Sequence, residues 1–332
     1  GDRRDLHSFP TRRSSDLTLF FECIGSLILT LRFLHEMGFR SAVKNAVFHS
    51  ISSFCNAGFS LFPQNFMNFA GDVTVNLVVM TLIVIGGIGF VVMDDIRSSI
   101  RGWNPLSLRW ARLNVHTRLV LLTTAALIAT GTLVIFFLEF DNTMLNLTSP
   151  QKLLAAMFQS VTCRTAGFNT IEIASCRDVT LFFMIILMFI GASPASTGGG
   201  VKTSTLAVLV LAVRAHLKSR DKVEVFEKSI PPQTVFKAIS IVFFSSSFIV
   251  IALAFLLLSQ TGGFLSVLFK ALSAVGTVGL TTGLTPQLDT TGKLIITLLM
   301  YVGRIGPLSI AIAFGEPKKI AIEYPTTRIL VG

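Results

Sequence analysis

The chain has 332 residues, of which 52% are hydrophobic and only 14% charged, and its mean hydropathy is +0.71. Soluble proteins carry about 25% charged residues, so the composition argues against a soluble domain and for a membrane protein. The formal charge of +10 would suggest nucleic acid in a soluble protein, but here the basic residues cluster in short loops between apolar stretches, where topology explains them.

Residues 1–17, GDRRDLHSFPTRRSSDL, are polar, basic and unlike everything after them. Leu6 to Leu17 resemble the conceptual translation of a short-read sequencing adapter, so 1–17 is expected to be a non-native, adapter-derived segment and is set aside. A basic targeting segment would need its own apolar core and cleavage site. Six apolar stretches follow, at 18–34, 73–93, 119–140, 179–213, 235–258 and 293–314. They approach or exceed the roughly 20 helical residues that span a bilayer. The fourth is interrupted at 191–205 by GASPASTGGGVKTST, too rich in Gly and Ser for an ordinary spanning helix.

Basic residues orient the chain. Arg97, Arg101, Arg109, Arg112 and Arg118 follow the second stretch; Arg214, Lys218, Arg220, Lys222, Lys228 and Lys237 follow the fourth; Lys318, Lys319 and Arg328 follow the sixth. The positive-inside rule places all three groups in the cytoplasm, although Arg32, Arg40 and Lys44 on the opposite side weaken the contrast. The four cysteines Cys23, Cys55, Cys163 and Cys176 form no CxxC pair, so neither a disulfide framework nor a metal site is expected.

Between the stretches of each pair lies a shorter segment, and these segments repeat. FHSIS (48–52), FQSVT (158–162) and FKALS (269–273) run into NAGFS (56–60), TAGFN (165–169) and TVGLT (277–281). The interval is about 110 residues, and the second stretch of each pair carries a matching glycine, at Gly86, Gly191 and Gly303. The unit reads as span, half-helix, glycine turn, span. A segment of about 10 to 12 residues cannot cross a bilayer as a helix, but it can dip in and return beside a watery cavity. Its glycine permits positive φ, so that backbone carbonyls on both sides turn toward one axis. Rings of such oxygens replace the water shell of an alkali cation, and each half-helix aims its negative end at them. Gly58, Gly167 and Gly279 are the leading filter candidates; ordinary turn glycines in re-entrant loops are the alternative.

At these residues the sequence resembles the Ktr/Trk/HKT superfamily of potassium transporters, most closely its KtrB-type membrane subunits. The carrying motifs are HSISSFCNAGFS (49–60), FQSVTCRTAGFNT (158–170), the Gly/Ser-rich stretch at 191–205, SAVGTVGLTTGLTP (273–286) and YVGRIGPL (301–308). The resemblance implies an all-α integral membrane fold of tandem span–pore-loop–span repeats around a pseudo-four-fold ion pore. Only three of the expected four repeats are present, and by family order the first is missing. The native protein is therefore expected to be longer at its front, and this chain alone should not close a four-fold filter. The implied divisions are a second repeat at 18–95, a cytoplasmic loop at 96–118, a third repeat at 119–213, a loop at 214–234, a fourth repeat at 235–314 and a cytoplasmic tail at 315–332.

Carried over residue by residue, the filter carbonyls are those of Asn56, Ala57, Gly58 and Phe59; Thr165, Ala166, Gly167 and Phe168; and Thr277, Val278, Gly279 and Leu280. The resemblance also implies that 191–205 is a flexible gate loop beneath the filter. Gly191, Gly198, Gly199, Gly200 and Lys202 belong to it, with 198–200 the most mobile part; a kinked helix packed through small residues is the alternative. Lys202 either faces the pore or approaches the cytoplasmic surface. Arg304 lies inside the last stretch, where an arginine costs roughly 2.5–3.5 kcal/mol and needs a polar partner or a watery cavity. The resemblance places it just below the filter, opposing cation flow; the other reading ties it to helix-end carbonyls. Arg164 is read as structural, His49 as packed or hydrogen-bonded, Asp94 and Asp95 as paired with nearby arginines, and Glu22 and Glu139 as reaching interfacial water.

The function implied is potassium uptake across a prokaryotic plasma membrane, with a sodium or mixed monovalent cation transporter as the alternative. No loop has TVGYG, so ion preference stays open, as does sodium as a coupling ion. An integral-membrane transferase is remote: paired carboxylates, HExxH and Asp-rich motifs are missing, GxxxxGK[ST] is not matched, and no catalytic residues are assigned. The family also implies a homodimer in membrane lipid on a cytosolic, nucleotide-binding, KtrA-type regulatory subunit. No cofactor beyond transported potassium, and no nucleic-acid partner, is expected.

Overall fold

The structure is a computed structural model and describes residues 12–100, 110–260 and 262–306. Arg101, Arg109, Lys318, Lys319, Arg328, the tail at 315–332, the end of the sixth stretch and of the YVGRIGPL motif, and residues 1–11 lie outside the described residues.

Three units of the same design follow one another. The first holds α1 (Arg12–Phe33), the short α2 (Phe39–Phe54) and α3 (Val73–Ile88), continued by α4 (Phe90–Ile100). The second holds α5 (Val115–Glu139), α6 (Ser149–Thr162), α7 (Asp178–Phe189) and α8 (Thr203–Leu217). A hairpin of β1 (Val223–Val225) and β2 (Lys228–Ile230) leads to the third, α9 (Pro232–Ser259), α10 (Phe264–Val275) and α11 (Thr290–Ile305). Helix α1 starts inside the segment set aside, at Arg12.

Local chemistry fixes the helix starts. Asp72 caps α3 by accepting from the Val75 N–H at 2.9 Å, and Asp289 caps α11 through the Gly292 N–H at 2.6 Å. Thr148 and Gln151 form a capping box at α6. Hydroxyls then dock two of the half-helices on their first spans: Ser50 donates to the Glu22 carbonyl at 2.8 Å and Ser160 to the Ile128 carbonyl at 2.9 Å. Glycines face these serines. A Cβ on Gly25 would lie 2.6 Å from Ser50 Oγ, and one on Gly131 would meet Ser160. Close approach through small residues suits a bilayer, where apolar burial alone does not drive helices together.

Helices α5 and α9 are each long and apolar enough to span a membrane, and α3 with α4 passes only as a pair bent by 97°. The stretch at 73–93 is thus not one straight span. It breaks at Gly89, whose φ is +91°, and the Phe90 N–H is taken by the Ala195 carbonyl at 3.0 Å. Hydropathy cannot register such a turn. Two apolar cores join the units. Phe33, Phe66, Phe158 and Phe168 belong to the one between the first and second, and Met184, Met188, Phe269 and Val275 to the one between the second and third.

Glu139 departs from its expected place at an interface with water. It is buried, and its carboxylate accepts from Thr180 Oγ1 at 2.5 Å, the Arg177 N–H at 2.9 Å, Asn142 Nδ2 at 2.8 Å and Thr143 Oγ1 at 2.9 Å. Glu22 is also largely buried. Asp95 binds the Asn114 N–H and Nδ2, at 3.0 and 2.6 Å; no ion pair to an arginine forms there among the described residues.

Candidate ion pore

The half-helices α2, α6 and α10 end at the three glycine loops, and the loops share one backbone design. Gly58, Gly167 and Gly279 have φ of +71°, +85° and +99°. Two residues earlier Asn56, Thr165 and Thr277 also have positive φ, at +51°, +78° and +52°. Sequence reading anticipated the glycines but not these. A β-branched threonine at positive φ is strained, and such strain collects at functional sites.

A second regularity fixes the loops. At the end of each half-helix a hydroxyl reaches the carbonyl of the residue after the glycine: Ser52 to Phe59 at 2.9 Å, Thr162 to Phe168 at 2.7 Å and Ser273 to Leu280 at 2.8 Å. Those three carbonyls are tied back to their own half-helices. Among the described residues, the carbonyl oxygens of Asn56, Ala57, Gly58, Thr165, Ala166, Gly167, Thr277, Val278 and Gly279 accept no hydrogen bond. Of these residues Asn56, Thr165, Ala166, Gly167 and Val278 are buried, and a buried acceptor left unpaired costs about 1–3 kcal/mol, so this set calls for a ligand or water.

The loops converge. A Cβ on Gly58 would meet the Ala166 carbonyl oxygen and lie 3.1 Å from Gly167 Cα. One on Gly167 would meet the Val278 carbonyl oxygen and lie 3.4 Å from Gly279 Cα. All three glycines line a single cavity of about 270 Å³, with Asn65, Asn169, Glu172 and Thr281 around its mouth. The ring is open on one side: Phe59 is 70% exposed, and Gly279 is exposed as well.

The loop between α7 and α8 lies against all three units. It covers residues 190–202; Thr203 to Thr205 belong to α8. Its ends meet, with the Gly191 N–H on the Val201 carbonyl at 2.9 Å. Toward the first unit, Thr197 Oγ1 donates to the carbonyls of Phe54 at 3.3 Å and Gly86 at 3.2 Å. Toward the second, Gly198 lies against Thr165; toward the third, the Gly199 N–H donates to Thr277 Oγ1 at 2.9 Å. Arg304, in the last turn of α11, donates to the Thr197 carbonyl, and Lys202 Nζ to the Gly198 carbonyl at 2.7 Å. The loop is therefore fastened beside the strained residues at the base of the three glycine turns. Gly198 and Gly199 are buried with no room for a Cβ, a packed arrangement where the greatest mobility was expected.

The matching glycines acquire a reason. A Cβ on Gly86 would meet the Phe54 carbonyl oxygen, and one on Gly303 the equivalent oxygen of Val275. At Gly191 the neighbour is instead the Gly199 carbonyl, so in the second unit the loop takes that place. Arg164 is buried between α6 and α5, with Nη2 3.4 Å from Thr124 Oγ1, away from the cavity mouth. His49 holds the first loop's exit through Nδ1 to the Asn45 carbonyl at 2.7 Å and Nε2 to Ser60 Oγ at 3.0 Å.

Comparison with known proteins agrees with this layout. Residues 15–322 match the TrkH family, described as cation transport proteins. The chain is 39% identical over 317 residues to the Ktr system potassium uptake protein B of Bacillus subtilis, covering 95% of this chain and 69% of that protein. It is 39% identical over 316 residues to the Vibrio alginolyticus protein of the same description, covering 95% and 68%. Its fold matches the crystal structure of the potassium transporter TrkH from Vibrio parahaemolyticus with a TM-score of 0.72 at 19% identity, covering 92% of this chain and 65% of that one. The chain is an all-α, multi-pass membrane protein, and it belongs to the TrkH family of cation transport proteins.

Proposed function

We propose that the protein takes up potassium across the plasma membrane of a prokaryote, through a filter to which this chain supplies three of four loops. The observation that carries the reading is the set of nine unpaired carbonyls around Gly58, Gly167 and Gly279. Carbonyl dipoles fixed before the ion arrives replace its hydration without reorganising. The carbonyls of Phe59, Phe168 and Leu280 are held by hydroxyls, so the inner ligands reduce to the other nine. Glu172 adds negative charge at the mouth.

Below the filter, the loop at 190–202 closes the path, with Arg304 as a fixed positive charge against cations and Lys202 holding the loop's shape. The protein works as a homodimer beneath which a KtrA-type nucleotide-binding subunit acts, potassium being cargo and no cofactor residing in this chain.

Uptake of rubidium and of radioactive sodium, by cells that lack other potassium uptake and express the full-length protein, tests the reading. Rubidium uptake that potassium suppresses and sodium does not is the expected result. Equal uptake of both ions would favour a mixed monovalent cation transporter, and uptake of neither would overturn the transport reading.

A further inference from the structure

A second cavity, of about 510 Å³, lies among the first turns of α5, α8 and α9 and the hairpin strand β2. Its polar lining is almost wholly cationic or hydroxylic: Lys202, Lys228 and Lys237, with His116, Thr205 and Thr234. No carboxylate is among its lining residues, and no ion pair engages the three lysines among the described residues. Asp95, within electrostatic reach of His116, is taken up by Asn114. The N-termini of three helices of 15 residues or more open on this space, and none has a side-chain cap. The dipoles of three helices favour an anion there.

The remaining walls say which kind. Val115, Leu119 and Ile241, with Val208 of α8, are apolar, and the first three continue along α5 and α9, the two helices fit to span a membrane. Most of each spanning window is unburied, 28% being covered in α5 and 17% in α9. A ligand with its charge among the lysines and its chains along α5 and α9 fits both halves. We infer that this cavity binds the phosphate of an anionic lipid headgroup. Lys202 lies in the wall of this cavity and also holds the Gly198 carbonyl, so an occupied site competes for the ammonium that shapes the loop. That last link rests on the gate reading, whereas the binding itself does not.

Purified full-length protein in phosphatidylcholine nanodiscs, titrated with fluorescent phosphatidylglycerol, tests the site by binding alone. Saturable binding over a phosphatidylcholine probe is expected. A lysine near a membrane surface contributes about fivefold to anionic-lipid binding, so Lys228→Gln with Lys237→Gln should weaken it at least about tenfold. Both side chains are exposed, so the pair should leave folding intact. Lys218→Gln with Lys222→Gln, basic neighbours outside this cavity, should change it less than about twofold. Equal weakening by the two pairs would overturn the proposal, because binding would then be diffuse surface attraction. Displacement by inorganic phosphate as complete as by unlabelled phosphatidylglycerol would overturn it too, the ligand then being a soluble phosphate.

Discussion

Gly167→Ala compared with Gly283→Ala separates the two costs of replacing a glycine of the proposed filter. Both residues have positive φ, +85° and +91°, so each alanine carries a backbone penalty of about 1–2 kcal/mol. They differ in what the new methyl meets. Nothing lies within 4 Å of a Cβ on Gly283, whereas one on Gly167 runs into the Val278 carbonyl oxygen, with Gly279 Cα at 3.4 Å. Neither obstacle is the end of a flexible side chain, so the backbone of the neighbouring loop has to move. If that displaces one ion ligand, the loss resembles that of a hydrogen bond to a charged group, about 1.5–3 kcal/mol. A factor of ten corresponds to about 1.4 kcal/mol, so rubidium transport per molecule should fall by roughly 10- to 150-fold for Gly167→Ala. Gly283→Ala should lower thermal stability and leave transport within about threefold, a cost on the backbone alone. The assay is initial rubidium uptake normalised to protein in the membrane. Wild-type rate and ion preference in Gly167→Ala would refute the claim that these loops form the ion path.

Three further outcomes follow from the same geometry. Arg304→Ala removes the donor to the Thr197 carbonyl and, on the proposed reading, a fixed charge beneath the filter, so rubidium uptake at equal expression should rise; unchanged uptake would count against the barrier. Gly199→Ala would put a methyl 2.6 Å from Thr277 Cγ2 and 3.1 Å from the Gly303 carbonyl, displacing the loop, so basal uptake should rise while the melting temperature in detergent falls. Glu139→Ala strips five donor groups of their shared acceptor, and thermal unfolding should show a loss of about 2–4 kcal/mol with ion preference unaltered.

The repeat was legible because three copies of one pattern carry more information than any single glycine. Gly58, Gly167 and Gly279 could be located from it, and the interruption at 191–205 announced itself through composition. What stayed hidden depends on contacts distant in sequence. Asparagine takes positive φ readily, but nothing in Thr165 or Thr277 marks them for it; there the backbone goes with the loop's two ends and the hydroxyl ties behind it. The hairpin at 223–230 carries no local signal, because its turn residues, Phe226 and Glu227, adopt positive φ without the usual Asn-Gly pair. The break at Gly89 was hidden inside an apolar run, and Glu139 looked interfacial because its donors at 177 and 180 lie about forty residues away, beyond any local pattern.

The fastening of the 190–202 loop bounds the energetics of opening. Among the described residues, seven bonds tie it to the other units: Thr197 Oγ1 to the Phe54 and Gly86 carbonyls, the N–H groups of Ser193 and Thr197 to the Gly87 and Gly86 carbonyls, the Phe90 N–H to the Ala195 carbonyl, the Gly199 N–H to Thr277 Oγ1, and Arg304 to the Thr197 carbonyl. At about 0.5–1.5 kcal/mol per neutral bond and somewhat more for the arginine, releasing them all costs about 5–12 kcal/mol. A change from 1:99 to 99:1 needs about 5.5 kcal/mol of differential binding, which is of the same order. One partner or ligand that prefers the open arrangement could therefore operate this loop, whereas random fluctuation would seldom do so. Because the bonds reach the first and third units, a movement of the end of α2 or α10 loosens the loop. Removing Arg304 alone should then make the loop easier to open without abolishing regulation, and a variant that opened fully on that one change would show that the other attachments carry no weight.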